Sequence, residues 1–117
     1  MNIGNLFEKK WANFLFNAGF WVYILPISTG QPCDILGIRN NIAYLYECKH
    51  CEKDIFNCNR IEPNQRTSAE FYRNLGNTNY YLVVQYKSGI KLYHFRDIET
   101  KKTLNFKDNL GEFVKKI

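Results

Sequence analysis

The 117 residues contain no apolar run approaching the ~18 uninterrupted positions that a membrane-spanning helix needs. The first apolar residues are interrupted by Glu8, Lys9 and Lys10, so no secretory leader is expected. A cytosolic protein with no membrane partner is therefore expected. No segment repeats, and no tract is of low complexity. Histidine is scarce: His50 and His94 are far apart. That weakens any zinc reading of the cysteines, although Cys48 and Cys51 frame a C-x-x-C and Cys58 follows. In a reducing compartment Cys33, Cys48, Cys51 and Cys58 stay as thiols. Cys33 and Cys48 flank acidic residues, and the plain reading packs them as small hydrophobes on the opposite strand face.

What is present is a chain with 45% hydrophobic residues, enough for one packed domain spanning 1–117. A net charge of +5 and a pI near 9.0 suit a polyanionic partner. They also suit a merely soluble basic protein, and charge alone leaves both open. Eight tyrosines and nine phenylalanines exceed what a core of this size needs. Some should be exposed, to stack on bases or to build a subunit interface.

Residues 3 to 18 read as an amphipathic helix, with Ile3, Phe7, Trp11, Phe14, Leu15 and Ala18 at helical spacing. Gly19 is its natural stop. Glu8 lies about 100° round the helix from Phe7, either as a solvated flank or as a carboxylate leaning over a site. Phe20 to Pro26 reads as a strand, followed by a short Ser28-Thr29-Gly30 loop. Two strands then flank an Arg39-Asn40-Asn41 turn, since asparagine tolerates the left-handed backbone of a tight hairpin. Lys53 to Phe56 reads as either a strand continuation or a flap. Glu62-Pro63-Asn64-Gln65 opens a second helix, with Pro63 in a first-turn place that needs no N–H. Gly76 ends it. Tyr80–Tyr86 and Ile90–Phe95 are strands, Asp97 to Phe106 is a polar connection, and Leu110 to Ile117 reads as a final helix.

The chemistry gathers at residues 31 to 49. Glu47 and Lys49 share a strand face, roughly 7 Å apart along the strand. The hairpin can bring Asp34 to face them. Two carboxylates and an ammonium at a strand end make a site for a divalent cation. Asp34, followed by Glu47-Cys48-Lys49 closing an apolar strand, resembles the PD-(D/E)XK nuclease motif, with Pro32 two places before the aspartate. With Gly4 and Glu8 in the opening helix and Gln65 in the second, the order over residues 4 to 95 resembles RecU-type and archaeal-type Holliday-junction resolvases. The long stalk insertion of the RecU type is lacking here.

The resemblance implies an α/β fold with a restriction-endonuclease-like core. Its mixed central sheet would have about five strands flanked by helices, in the order α-β-β-β-α-β-β. It implies Mg2+, replaceable by Mn2+, on Asp34, Glu47, Glu8 and the backbone carbonyl of Cys48. It implies catalytic work by Asp34, Glu47, Lys49 and Gln65, the last positioning water or phosphate. It implies branched DNA as substrate, a homodimer, and the cytoplasm of a bacterial, archaeal or phage host cell. Lys9, Lys10, Arg39 and Arg66 are the candidate DNA contacts. Trp11, Phe14, Phe16, Trp21, Tyr81 and Tyr93 are the candidate dimer residues. Two other readings remain: a restriction- or repair-type endonuclease of the same fold, and a module that binds nucleic acid or protein, such as a phage inhibitor, without cutting. His94 reads as structural.

Overall fold

The structure is a computed structural model that describes residues 3–26 and 30–115. Ser28 and Thr29 of the expected loop, and the last two residues of the expected final helix, lie outside the described residues. The first helix, α1 (Ile3–Asn17), follows the spacing of Phe7, Trp11 and Leu15, which are buried, while Lys9, Lys10 and Asn13 face solvent. It stops at Gly19, whose φ of +90° only glycine adopts without strain. Phe20 N–H then reaches back to the Leu15 carbonyl and Gly19 N–H to the Phe16 carbonyl, so the last turn's acceptors are satisfied.

Three antiparallel strands follow: β1 (Trp21–Ile24), β2 (Ile35–Arg39) and β3 (Ile42–His50). Asn40 and Asn41 join the last two with φ of +54° and +65°. Two successive left-handed residues make the two-residue turn whose twist matches that of the strands. Arg39, expected in the turn, still belongs to the strand. The chain then forms β4 (Ile55–Asn57), a 3-10 turn (Cys58–Arg60), and α2 (Pro63–Asn74). Last come β5 (Tyr80–Gln85), β6 (Ile90–His94), the short α3 (Phe95–Ile98), β7 (Thr103–Asn105) and β8 (Glu112–Val114).

The main sheet has six strands in the order β1-β2-β3-β5-β6-β8. Its β3–β5 pair is parallel and its other pairs are antiparallel. The mixed sheet flanked by helices is as expected, with one strand more. The added strand replaces the expected final helix. Gly111 turns the chain at φ +87°, against the Tyr93 ring, and β8 covers the edge of β6 that a helix would leave unpaired. Residues 53 to 56 neither extend β3 nor hang as a flap, because β4 pairs with β7 in a separate two-stranded sheet.

The sheet separates two apolar clusters. One, under α1, holds Phe7, Trp11, Leu15, Ile35, Tyr46 and Val83. The other, on the side of α2 and β4, holds Phe56, Ile61, Ala69, Leu82 and Val84. Alternation along β5 feeds both, as a strand covered on each face requires. Cys48 joins the first cluster, whereas Cys33, Cys51 and Cys58 join the second, and all four are thiols. Cys33 and Cys48 thus pack as small hydrophobes but on different sides, because Cys33 precedes β2 and escapes its alternation. Among the described residues no helix is long and apolar enough to cross a membrane.

Candidate active site

Asp34 stands one residue before β2. Ile35 is paired with Tyr46, so one further step of the same register puts Asp34 opposite Glu47. Residues opposed across an antiparallel pair share a face. Asp34 and Glu47 therefore meet on the face that also carries Lys49, two residues along β3. β3 lies inside the sheet, between β2 and β5, which pins the register on both sides. The Asp34 N–H donates to the Tyr46 carbonyl at 3.0 Å, and Leu25 N–H donates to the Asp34 carbonyl at 2.9 Å. The strand end that carries the carboxylate is therefore held by its own backbone.

Both oxygens of Asp34 accept hydrogen bonds. Oδ2 takes the Cys48 N–H at 2.8 Å, and Oδ1 takes Nε2 of Gln31 at 3.0 Å. The N–H and C=O of one strand residue point to the same side. The Cys48 carbonyl thus opens toward Asp34, beyond the start of β2, and not toward β5.

Glu47 is 1% exposed, and its Oε2 has no hydrogen-bond partner among the described residues. Burial, then the adjacent Asp34 carboxyl, pushes its pKa up to about 10. Glu8 comes from α1 to the same place. Its pKa rises to about 7, chiefly through burial and then through the charge and hydrogen-bonding reach of Asp34. Lys49 pulls both glutamates the other way. Three acids and one ammonium thus occupy one half-buried strand end. Burial and crowding therefore favour the protonated forms of Glu8 and Glu47.

A hard divalent cation fits this donor set. A buried carboxylate oxygen without a partner is a costly arrangement unless something positive completes it. Among the described residues no group of three or more His, Cys, Asp or Glu side chains is arranged to hold a metal ion by itself. An open set of Asp34, Glu47, the Cys48 carbonyl and nearby Glu8 would suit a hard cation that keeps several waters and takes only one or two carboxylates. The C-x-x-C thiols point into two different cores and offer no such set.

The other expected site residues have structural partners of their own. Gln65 is buried at the start of α2, and its Oε1 accepts the Glu62 N–H at 2.9 Å, capping the helix. That bond takes one lone pair of the amide oxygen and leaves the second, and the NH2 group, for other partners. Arg66 donates to the Cys58 carbonyl at 3.0 Å and to the Glu99 carbonyl at 3.4 Å. Arg39 donates to the Ala18 carbonyl at 3.0 Å with its guanidinium over the Phe20 ring. Both arginines, expected at DNA, hold loops and helix ends together, because the planar guanidinium fork fits paired carbonyls and an aromatic face. Lys9 and Lys10 stay exposed on α1 beside Glu8. His94 packs its ring 4.7 Å from that of Tyr81. Gln31, which grips Asp34, was not expected, since a lone glutamine in a loop carries no pattern.

Comparison with known proteins bears on the fold and the family. No curated protein matches the chain. Among solved structures, the chain is similar to Hjc of Archaeoglobus fulgidus, a Holliday junction resolvase from an archaeal hyperthermophile. The two share 19% identity at a TM-score of 0.67, over 89% of this chain and 84% of that one. That likeness establishes the fold. The family model for the archaeal Holliday junction resolvase (Hjc) matches residues 1–112, nearly the whole chain, and this chain belongs to that family.

Proposed function

We propose that this protein is a divalent-metal-dependent endonuclease that resolves Holliday junctions, with its site at Asp34, Glu47 and Lys49. The observation that carries the reading is the buried, unpartnered oxygen of Glu47, set opposite Asp34 and two residues from an ammonium. Family membership supplies the substrate class, branched DNA. Asp34, Glu47 and the Cys48 carbonyl would hold Mg2+, or Mn2+ in its place, with Glu8 at the margin. The cation supplies an acidified water and a polarised phosphate. The chain's own part is to aim and to neutralise. The Cys48 N–H and the Gln31 amide fix the Asp34 carboxylate. Burial of Glu47 keeps bulk water from competing for its oxygen. Lys49 offsets the charge that builds on the phosphate oxygens as the bond breaks. Gln65 would position water or phosphate by hydrogen bonds.

Affinity for DNA comes from elsewhere, from lysines such as Lys9 and Lys10 that neutralise phosphates. The chain acts as one nuclease domain in the cytoplasm. Resolution also needs a second site for the second strand, and a two-fold dimer supplies it. Of the aromatic residues offered for that interface, Trp11 and Tyr93 are buried in the core. Phe16 and Trp21 remain exposed, as do Phe71 on α2 and Leu75 at its end.

The test is cleavage of a substrate panel, namely four-way junction, flap, duplex, single strand and RNA, with Mg2+ and with Mn2+. Symmetric nicking of the four-way junction is expected, together with a dimer by light scattering at micromolar concentration. Preference for another substrate would point to a restriction- or repair-type enzyme. Binding without any cleavage would point to a non-cutting module.

A further inference from the structure

We infer that Gln31 is a positioning residue of the cation site, gripping Asp34 through its amide N–H and presenting its amide oxygen to a cation-bound water. The inference rests on the functional reading above and adds a residue to it.

Three observations carry it. First, Nε2 of Gln31 donates to Oδ1 of Asp34 at 3.0 Å, while the Cys48 N–H holds Oδ2 at 2.8 Å. The carboxylate is fixed from both sides, so its remaining lone pairs have one direction left to face. The amide cannot be turned over, because its oxygen would then meet a carboxylate oxygen. Second, Oε1 of Gln31 is buried and has no hydrogen-bond partner among the described residues. Glu47 Oε2 is in the same state on the same site. Two orphaned acceptor oxygens flanking one carboxylate match a cation and its water shell, since bound waters are strong donors. Third, the Gln31 backbone is held in place. Its carbonyl accepts from Asn64 Nδ2 at 3.5 Å, the Pro32 carbonyl accepts from the Tyr80 hydroxyl, and Cys33 is buried with its thiol donating to the Ile35 carbonyl at 3.4 Å. A glutamine on a slack loop would reach Asp34 only occasionally. This one is delivered by a stretch tied to α2, β5 and β2 in turn.

A hydrogen bond from outside the ligand shell orients a metal-binding carboxylate, and its loss typically weakens metal affinity 10- to 100-fold. The experiment compares wild type, Gln31→Met and Asp34→Ala. Methionine keeps the length of the side chain and removes both the donor and the acceptor. Mn2+ affinity is measured by titration calorimetry without DNA, and junction cleavage is followed against Mn2+ concentration. For Gln31→Met the expected result is a Kd for Mn2+ raised about tenfold or more. The Mn2+ dependence of cleavage should shift to higher concentration by the same factor. Maximal rate at saturating Mn2+ should recover to within a few-fold, and the unfolding temperature without metal should stay near wild type. A structural role alone would lower the unfolding temperature and leave the Mn2+ midpoint in place, which would overturn the inference. Unchanged Mn2+ affinity in Gln31→Met, beside loss of binding in Asp34→Ala, would likewise overturn it while sparing the functional reading. If Asp34→Ala binds Mn2+ as wild type does, the functional reading itself fails.

Discussion

Two of the charged side chains buried among the described residues lie at nearly the same depth and in opposite circumstances. Lys91 on β6 is 5% exposed, Glu47 on β3 is 1% exposed. The Lys91 Nζ donates to the Asp108 carbonyl and, at 2.8 Å, to the Leu110 carbonyl, with the Tyr93 and Phe106 rings about it. It is provided for, and it ties the segment before β8 to the sheet. Glu47 keeps one oxygen without a partner and faces another carboxyl. Buried charge is therefore not in itself the mark of a site. What sets the proposed site apart is a buried acid with an oxygen that the described residues leave without a partner.

The largest expected effect tests the Glu47 half of that contrast. Glu47→Gln, Asp34→Ala and Lys49→Ala should each lower junction cleavage by about a thousandfold or more, the scale of losing a principal electrostatic group in a preorganised site. Junction affinity in gel shifts should stay within a few-fold of wild type if, as proposed, the phosphate contacts lie elsewhere. Glu47→Gln should also unfold no earlier than wild type without metal, since it removes an ill-accommodated acid and keeps its shape. A variant that cuts normally would sink the site.

Lys91→Met tests the other half. It leaves two carbonyls without their donor, at about 1–3 kcal/mol each. Denaturant melts should show a loss of that order, while cleavage per folded molecule at low temperature stays near wild type. A stable Lys91→Met with impaired cleavage would reverse the roles assigned to the two buried charges.

A smaller effect is expected on pH dependence. Glu8 and Glu47 have pKa values raised to about 7 and about 10 in the fold, so the folded state binds more protons than the unfolded one. Their contribution favours folding below about pH 4.5 and is lost as pH rises through about 7 and then toward 10. Between pH 5 and 9 the metal-free unfolding temperature should fall by a few degrees, and millimolar Mg2+ should flatten that slope. Replacing both residues by glutamine should flatten it too. A metal-free profile without that slope would mean that the two acids are not crowded as described.

The smallest effect is at an exposed pair. Arg96 and Asp97 approach to 3.8 Å with about half of each side chain in solvent. Arg96→Ala should change stability by less than about 0.5 kcal/mol in denaturant melts. A larger loss would show that depth is not what separates Lys91 from an ordinary surface cation.

The sequence by itself determined whatever follows from local spacing. Phe7, Trp11 and Leu15 recur at the helical period and mark α1. Glu47 and Lys49 are two apart and must share a strand face. Asn40-Asn41 accept a left-handed backbone, and Pro63 opens a helix. Those regularities placed the hairpin and the acidic strand end, and with them the family. What required the tertiary structure was every choice among partners distant in the chain. β8 exists because β6 had an open edge, where local pattern favoured a helix. Trp11 and Tyr93 are core while Phe16 and Trp21 are surface, although all four are equally aromatic in sequence. Gln65 caps its own helix and Arg66 ties down loops, while Gln31 reaches Asp34. A side chain's period is written in the backbone geometry of its own element, but its hydrogen-bond partner is whichever group the packed chain brings within about 3 Å. Only the fold decides that.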